Sequence, residues 1–282
     1  MLEITSIIEN FSSSSQLSAE HGLSLHIKHG SQNYLVDTGA SDKFINNAQK
    51  MGIDLRKLEA VIISHNHYDH TGGLPALLEM NKEVKVYIKN AAKSEFFYKT
   101  PLFKKHLGGE KLLNKYADRF VFFDDEHQIS NSIQLLSNEV HDPAYECKDL
   151  KLLEKVNGRY VADSFNHELF MVIEENGRLL IISSCSHNGI VNIVNTVGQK
   201  YSGQPISHIV GGFHLAETGL IKNSSRLNCT EAYVQEIAKI LKDTGAEIHT
   251  GHCTGKRAYN LMKEELGDSI SYFEAGQKIS IP

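Results

Sequence analysis

The chain has 282 residues, 41% of them hydrophobic, enough to bury a sizeable core as one domain or two. Its formal charge is −5, from 29 Lys+Arg against 34 Asp+Glu, so it has no global basic field to draw nucleic acid or an anionic membrane surface. No run of about 18 apolar residues occurs and the first 15 residues show no cationic leader before an apolar stretch, so we expect a soluble, cytoplasmic protein without membrane or nucleic-acid partners.

Three apolar segments open the chain, Leu2 to Ile8, Gly22 to Ile27 and Tyr34 to Val36, and read as a strand meander ending at the turn signal Asp37-Thr38-Gly39. Phe44, Ile45, Ala48 and Met51 recur at helical spacing, with Ser41 as the expected N-cap. The run Ala60 to Ile63 is a short, fully apolar strand, followed by the polar stretch Ser64 to Thr71. A helix over Pro75 to Glu79, a strand over Val84 to Ile88 and a helix starting near Asn90 come next. Between about 100 and 165 neither period persists, which predicts an irregular insertion. Regularity returns in a hairpin, Leu169 to Ile173 and Leu179 to Ile182 around Glu175-Asn176-Gly177. Helix and strand then alternate: helix Ile190 to Val197, strand Ile206 to Val210, helix Thr230 to Lys242, strand Glu247 to His249, helix Gly255 to Leu266 and strand Lys278 to Ile281. Strands first, βαβ units later, and a faint echo of that order in each half predict an α/β domain over 1–282, two sheets with helices outside.

Chemistry concentrates in the histidines, fifteen in all, since imidazole is the commonest metal ligand. Directly after the strand ending at Ile63 stands Ser64-His65-Asn66-His67-Tyr68-Asp69-His70-Thr71-Gly72-Gly73. On extended backbone His65, His67 and Asp69 point to one side, and a tightening of the chain brings His70 in. Such a nitrogen-rich set with one carboxylate suits a borderline-soft divalent cation; a polar loop with chance histidines is the bland alternative. One turn cannot close two metal sites, so further ligands are sought at distant strand ends. His252, in Gly251-His252-Cys253, the pair Cys185 and His187 at the end of the hairpin, and His167 before it are the candidates. For each lone residue the alternative is a satisfied core or surface side chain. The four cysteines, Cys147, Cys185, Cys229 and Cys253, contain no CxxC pair and read as reduced thiols.

These residues resemble the metallo-β-lactamase superfamily: the HxHxDH run of His65 to His70, a His-Glu before a hairpin, a polar ligand after it and a late Gly-His. Ala19 to Ser24, Val36 to Gly39, Ser64 to Leu74, Cys185 to Asn192, Gly211 to Leu215 and Gly251 to Gly255 are similar to its dihydropterin-ribofuranosyl-aminobenzene phosphate synthase-like branch. The resemblance implies a four-layer αββα sandwich and two divalent metal ions, zinc first and iron or manganese as alternatives. It assigns His65 and His67 to one ion, and Asp69, His70 and His252 to the other. Where many members carry a bridging aspartate this chain has Cys185, with His187 nearby, so either or both could ligate. His21 and His214 match branch motifs, implying contact with a small-molecule substrate or proton transfer.

The expected activity is hydrolysis of an ester, lactone or phosphoester, with Asp69 orienting a metal-activated water and His214 as general acid. His214 could equally fix the tautomer of a ligand, and Asp37 could accept a ligand's N–H or serve only its turn. Lys104, Lys105 and Arg159 are the candidates for holding a phosphate. A di-iron redox protein and a non-catalytic metal-binding module are the competing classes.

Overall fold

A computed structural model describes residues 1–146, 149–217 and 226–281. Cys147, one of the cysteines above, lies outside the described residues. The described chain forms two compact units, the first comprising Met1–Asp124, Leu150–His167 and Glu274–Pro282, the second Asp125–Asp149 and Glu168–Phe273.

The first unit is built on a seven-stranded sheet in the order Lys278–Ile281, Leu2–Ile8, Ser24–His29, Gln32–Val36, Ala60–Ile62, Lys85–Lys89, Phe120–Phe123. Its first three pairings are antiparallel and its last three parallel. Parallel neighbours need crossover helices, which cover a sheet face and make the strands apolar throughout. Accordingly Ala60, Val61 and Ile62 are all buried, and the helices Lys43–Lys50 and Leu74–Met80 send Phe44, Ala48, Leu74 and Leu77 into a core with Leu35, Val61 and Val86. A second, antiparallel sheet runs Arg159–Ala162, Leu152–Val156, Glu95–Lys99, Lys104–His106.

The second unit repeats the scheme. Its sheet runs Ile270–Tyr272, Glu247–Thr250, Ile206–Gly211, Arg178–Ser183, Phe170–Glu175, Ile133–Leu136, Glu126–Ser130, again with three parallel and three antiparallel pairings. Helices Ile190–Lys200, Glu231–Asp243 and Gly255–Leu266 bury Ile193, Val197, Ile237, Leu241 and Met262 against Leu179, Ile181, Ile209 and Ile248. Thr230 caps the second of these, its side chain accepting from the backbone N–H of Tyr233.

The α/β expectation holds, and most predicted elements lie within a few residues of their observed limits. Four details differ. The stretch expected to be irregular holds Lys104–His106, the helix Glu110–Lys115, Phe120–Phe123, Glu126–Ser130, Ile133–Leu136, Leu152–Val156 and Arg159–Ala162. These segments are short and several are half-exposed, so no local period persists long enough to mark them. Ser41 is not the N-cap: Asp42 occupies that position, and the Ser41 hydroxyl donates to Glu20 at 2.6 Å instead. The helix expected near Asn90 is a single 3-10 turn, Asn90–Lys93, and the edge strand Ile270–Tyr272 was not foreseen from its three residues. Among the described residues no helix is long and apolar enough to cross a membrane.

Candidate functional site

In each sheet the chemistry-bearing residues follow the carboxyl ends of the parallel strands or of the strand beside them. Ligand sites in α/β sheets favour that edge. In the first unit Val36 leads into Asp37, and Ile62 leads into Ser64 to His70. In the second, Ser183 leads into Cys185 and His187, Gly211 into His214, and Thr250 into His252.

The first unit gathers His65, His67 and His70, with ring centroids 4.6 Å apart for His65 and His67 and 4.1 Å for His65 and His70. All three are buried. The extended backbone ends at His67, and Asp69 and His70 stand on the short helix Tyr68–Thr71. Asp69 therefore joins the cluster by a helical turn rather than by strand alternation, a correction to the expectation. Gly72 and Gly73 let that turn dock: a Cβ on Gly72 would meet the Ala40 carbonyl oxygen at 2.3 Å and one on Gly73 the Thr38 carbonyl oxygen at 2.3 Å.

Asp37 organises the imidazoles. Its carboxylate accepts from Ser64 N–H at 2.8 Å, from Ser64 Oγ at 2.7 Å and from His70 Nδ1 at 2.7 Å. A carboxylate accepts only, so His70 carries its proton on Nδ1 and Nε2 is the unprotonated nitrogen of the neutral ring. Ser64 has one hydroxyl proton, and with that given to Asp37 its oxygen must accept from His65 Nδ1, 2.8 Å away. His65 is thereby held in the same tautomer. Asp37 adopts φ 60°, an uncommon conformation sustained by the bond from its N–H to Ile62 O at 2.9 Å.

His67 belongs to a second small network. Its Nε2 lies 3.6 Å from Asp163 Oδ2, and Asp163 Oδ2 lies 3.2 Å from His167 Nε2. His167 Nδ1 accepts from Asn66 N–H at 3.0 Å, so both ring nitrogens of His167 are engaged, and its ring stacks on Phe96 at 3.8 Å. Burial pushes the His67 imidazole below its ordinary range, with Asp163 working against that. Burial also acts to raise the Asp163 carboxyl, but the imidazoles of His167 and His67 outweigh it and hold the carboxyl well below the usual carboxylate range.

His21 Nε2 stands 3.2 Å from Asp69 Oδ2, with 32% of the His21 side chain exposed. Lys105 places its Nζ 4.3 Å over the Tyr68 ring, next in sequence to Asp69, while Lys104 lies over Tyr160. Burial pushes the Tyr68 hydroxyl up to about 12.

The second unit uses a different device. Glu168, buried, accepts from the backbone N–H groups of His187 at 2.7 Å and Asn188 at 2.8 Å and from Asn188 Nδ2 at 2.8 Å, pinning the loop that carries Cys185 and His187. Ser186 has φ 54°, and a Cβ on Gly189 would fall 1.8 Å from the Tyr145 carbonyl oxygen. The His187 and His214 rings lie 4.3 Å apart. His214 and His252 both adopt left-handed backbone, φ 47° and 49°. His214 N–H donates to Cys253 Sγ at 3.3 Å, which also approaches Cys185 O at 3.6 Å.

Asp163, Glu168 and Glu20 were not among the expected site residues. Glu20 accepts from Ala40 N–H and Ser41 N–H at 3.1 and 3.0 Å, bracing the loop against which Gly72 and Gly73 pack. The usable signal was the carboxylate beside each histidine, in Glu20-His21, Asp163 before His167, and His167-Glu168.

The family model of the metallo-beta-lactamase superfamily matches residues 19–130. A 7,8-dihydropterin-6-methyl-4-(beta-D-ribofuranosyl)-aminobenzene-5'-phosphate synthase of Methanocaldococcus jannaschii is 32% identical, covering 93% of this chain and 90% of the relative. Among solved structures, a metal-dependent hydrolase of the beta-lactamase superfamily has TM-score 0.81 at 26% identity and covers 100% of this chain and 99% of its own. A zinc-bound PqqB from Methylobacterium extorquens shares the fold, with TM-score 0.58 at 11% identity over 99% of this chain and 100% of that one. With a relative matching along nearly its whole length and histidine-rich loops at the expected strand ends, the chain belongs to the metallo-β-lactamase superfamily.

Proposed function

We propose that this protein is a metal-dependent hydrolase of an ester, lactone or phosphoester. Two divalent ions, zinc before iron or manganese, are held by His65, His67, Asp69 and His70, with Cys185, His187 and His252 as the remaining ligands. One observation carries the reading: Asp37, directly and through Ser64, fixes the proton of His65 and His70 on Nδ1, which makes Nε2 the donor nitrogen of each neutral ring, the form in which imidazole binds a cation. When bound, such ions lower the pKa of a coordinated water to about 7 and polarise the bond to be broken.

The chain's own residues divide the remaining work. Asp69 orients the attacking water, and His21, 3.2 Å from it and partly exposed, contacts substrate and steadies the carboxylate. His214 protonates the leaving group. His167, with both nitrogens engaged, acts as a positioning residue that sets His67 through Asp163 rather than as a ligand. Lys105, beside Tyr68, receives a substrate phosphate.

A second reading is favoured by the 32% identical relative: condensation in which a leaving group on a dihydropterin methylene carbon is displaced by an aminobenzene ribofuranosyl 5'-phosphate, giving the linkage in that relative's name. One experiment separates the two. The zinc-loaded protein is assayed on nitrophenyl esters, a lactone panel and bis-nitrophenyl phosphate, and on the pterin condensation, beside a His67→Ala variant with an unchanged circular dichroism spectrum. We expect hydrolytic turnover that falls by at least about a thousandfold in the variant. Turnover confined to condensation would move the assignment to the second reading, and turnover indifferent to metal would sink both.

A further inference from the structure

The loops do not account for all the clustered imidazoles of the second unit. Its strands Ile206–Gly211 and Glu247–Thr250 run parallel, pairing His208 with Glu247 and Val210 with His249. Side chains alternate across a sheet, so positions 208, 247 and 249 share one face, opposite the one from which Ile209 and Ile248 enter the helix-covered core. The His208 and His249 rings are stacked, centroids 5.7 Å apart and planes 10° from parallel. His208 Nε2 lies 3.6 Å and His249 Nε2 4.0 Å from the same atom, Glu247 Oε2. Neither separation is a hydrogen bond. His249 Nε2 is buried without a hydrogen-bond partner, an arrangement that costs free energy unless something occupies it. His249 Nδ1 is 2.7 Å from Ser271 Oγ on the neighbouring strand. With Ser271 as acceptor, the His249 proton is fixed on Nδ1 and the lone pair on Nε2 faces the glutamate.

We propose that His208, Glu247 and His249 form an additional binding site for a borderline divalent cation, zinc or a chemically similar ion, that clamps the two strands together. One donor atom from each residue lies within 4.8 Å of the others. Ligands at about 2.0–2.1 Å around a tetrahedral zinc stand roughly 3.3 Å apart, so the gaps of 3.6 and 4.0 Å to Glu247 close by roughly 0.3 and 0.7 Å through side-chain rotation. Ser271 is a positioning residue here, bound to the far nitrogen of a ligand histidine as the partners of metal-bound imidazoles are. The mostly exposed Glu247 leaves the fourth position to solvent, which makes the site exchangeable rather than sealed. The site shares no residue with the loop set above and stands whether or not the hydrolase reading does.

The test is a zinc count and affinity by equilibrium dialysis on the full chain, after stripping with chelator. The His208→Ala/His249→Ala double variant should bind one equivalent fewer than the unaltered protein. Glu247→Gln changes an exposed side chain and leaves the fold safe; it should weaken that same equivalent at least about tenfold, and Ser271→Ala about tenfold. Zinc should raise the melting temperature of the unaltered protein more than that of Glu247→Gln. Equal zinc counts and affinities in the unaltered protein and Glu247→Gln overturn the proposal, even if the double variant fails to fold. A failed hydrolase reading looks different: His67→Ala would then alter neither turnover nor the loop-bound zinc, while the Glu247-dependent equivalent persists.

Discussion

The two units present their histidines by opposite means. In the first, side chains orient side chains: the Asp37 carboxylate takes the ring proton of His70 and, through Ser64, settles that of His65. In the second, a carboxylate grips backbone: Glu168 holds the N–H groups of His187 and Asn188, and left-handed residues at Ser186, His214 and His252 aim the side chains. One loop stores its order in hydrogen bonds and the other in main-chain conformation. Among the described residues seven non-glycine positions have positive φ, and Asn157 and Asn176 are ordinary hairpin-turn residues; of the other five, Phe165, Ser186, His214 and His252 each lie in or within two residues of a histidine-bearing loop of their own unit, and Asp37 bonds His70 of its own. Strain of that kind costs about 1–3 kcal/mol per residue and persists where surrounding structure enforces it.

The contrast can be broken most violently at Gly189, where φ is 87° and an added Cβ would fall inside the Tyr145 carbonyl. Gly189→Ala should destabilise by more than about 4 kcal/mol, read by chemical denaturation. A loss under about 1 kcal/mol would show that the loop is not conformationally fixed. Next in size, Asp37→Asn should reduce zinc affinity about 10- to 100-fold, because an amide cannot accept at both oxygens and the tautomers of His65 and His70 are released. Glu168→Gln sharpens the comparison: it should cost about 2 kcal/mol of stability, yet weaken zinc binding less than Asp37→Asn does, since it loosens backbone rather than a ring proton.

The smallest effects are in the pH dependence of the metal-free protein. His249 sits at about 4 when folded against about 6.5 unfolded, so the unfolded chain takes up a proton that the folded chain refuses. Stability from this residue is complete above about pH 6.5 and declines toward pH 4. Asp163 is held well below its unfolded value of about 3.9, so its contribution survives that range and disappears in stronger acid. His249→Asn should flatten the upper slope of a melting-temperature profile and Asp163→Asn the lower one; identical profiles for all three proteins would refute the assignment.

Much of the fold was legible because its parallel strands are buried on both faces and read as unbroken apolar runs, as in Ala60-Val61-Ile62 or Leu179 to Ile182. The strands between 100 and 165 were not, since Glu126–Ser130 and Arg159–Ala162 are short, largely exposed edge strands with no buried face to impose alternation. The histidine cluster announced itself through local spacing. What holds it did not: Asp37 reaches 33 residues to His70, and His167 reaches 101 residues to Asn66. Such partnerships leave no periodic trace in a single sequence. Asp69 taught a smaller lesson, as a spacing that fits a strand was met by a helical turn.

The central claim is that His65 and His70 offer Nε2 to a cation because Asp37 and Ser64 hold their other nitrogens. Anomalous diffraction at the zinc edge, from crystals grown with equimolar zinc, tests it most directly. We predict a peak about 2.0–2.1 Å from Nε2 of His65 or His70. A catalytically active crystal with no peak beside those atoms, or with the metal on Nδ1, would contradict it.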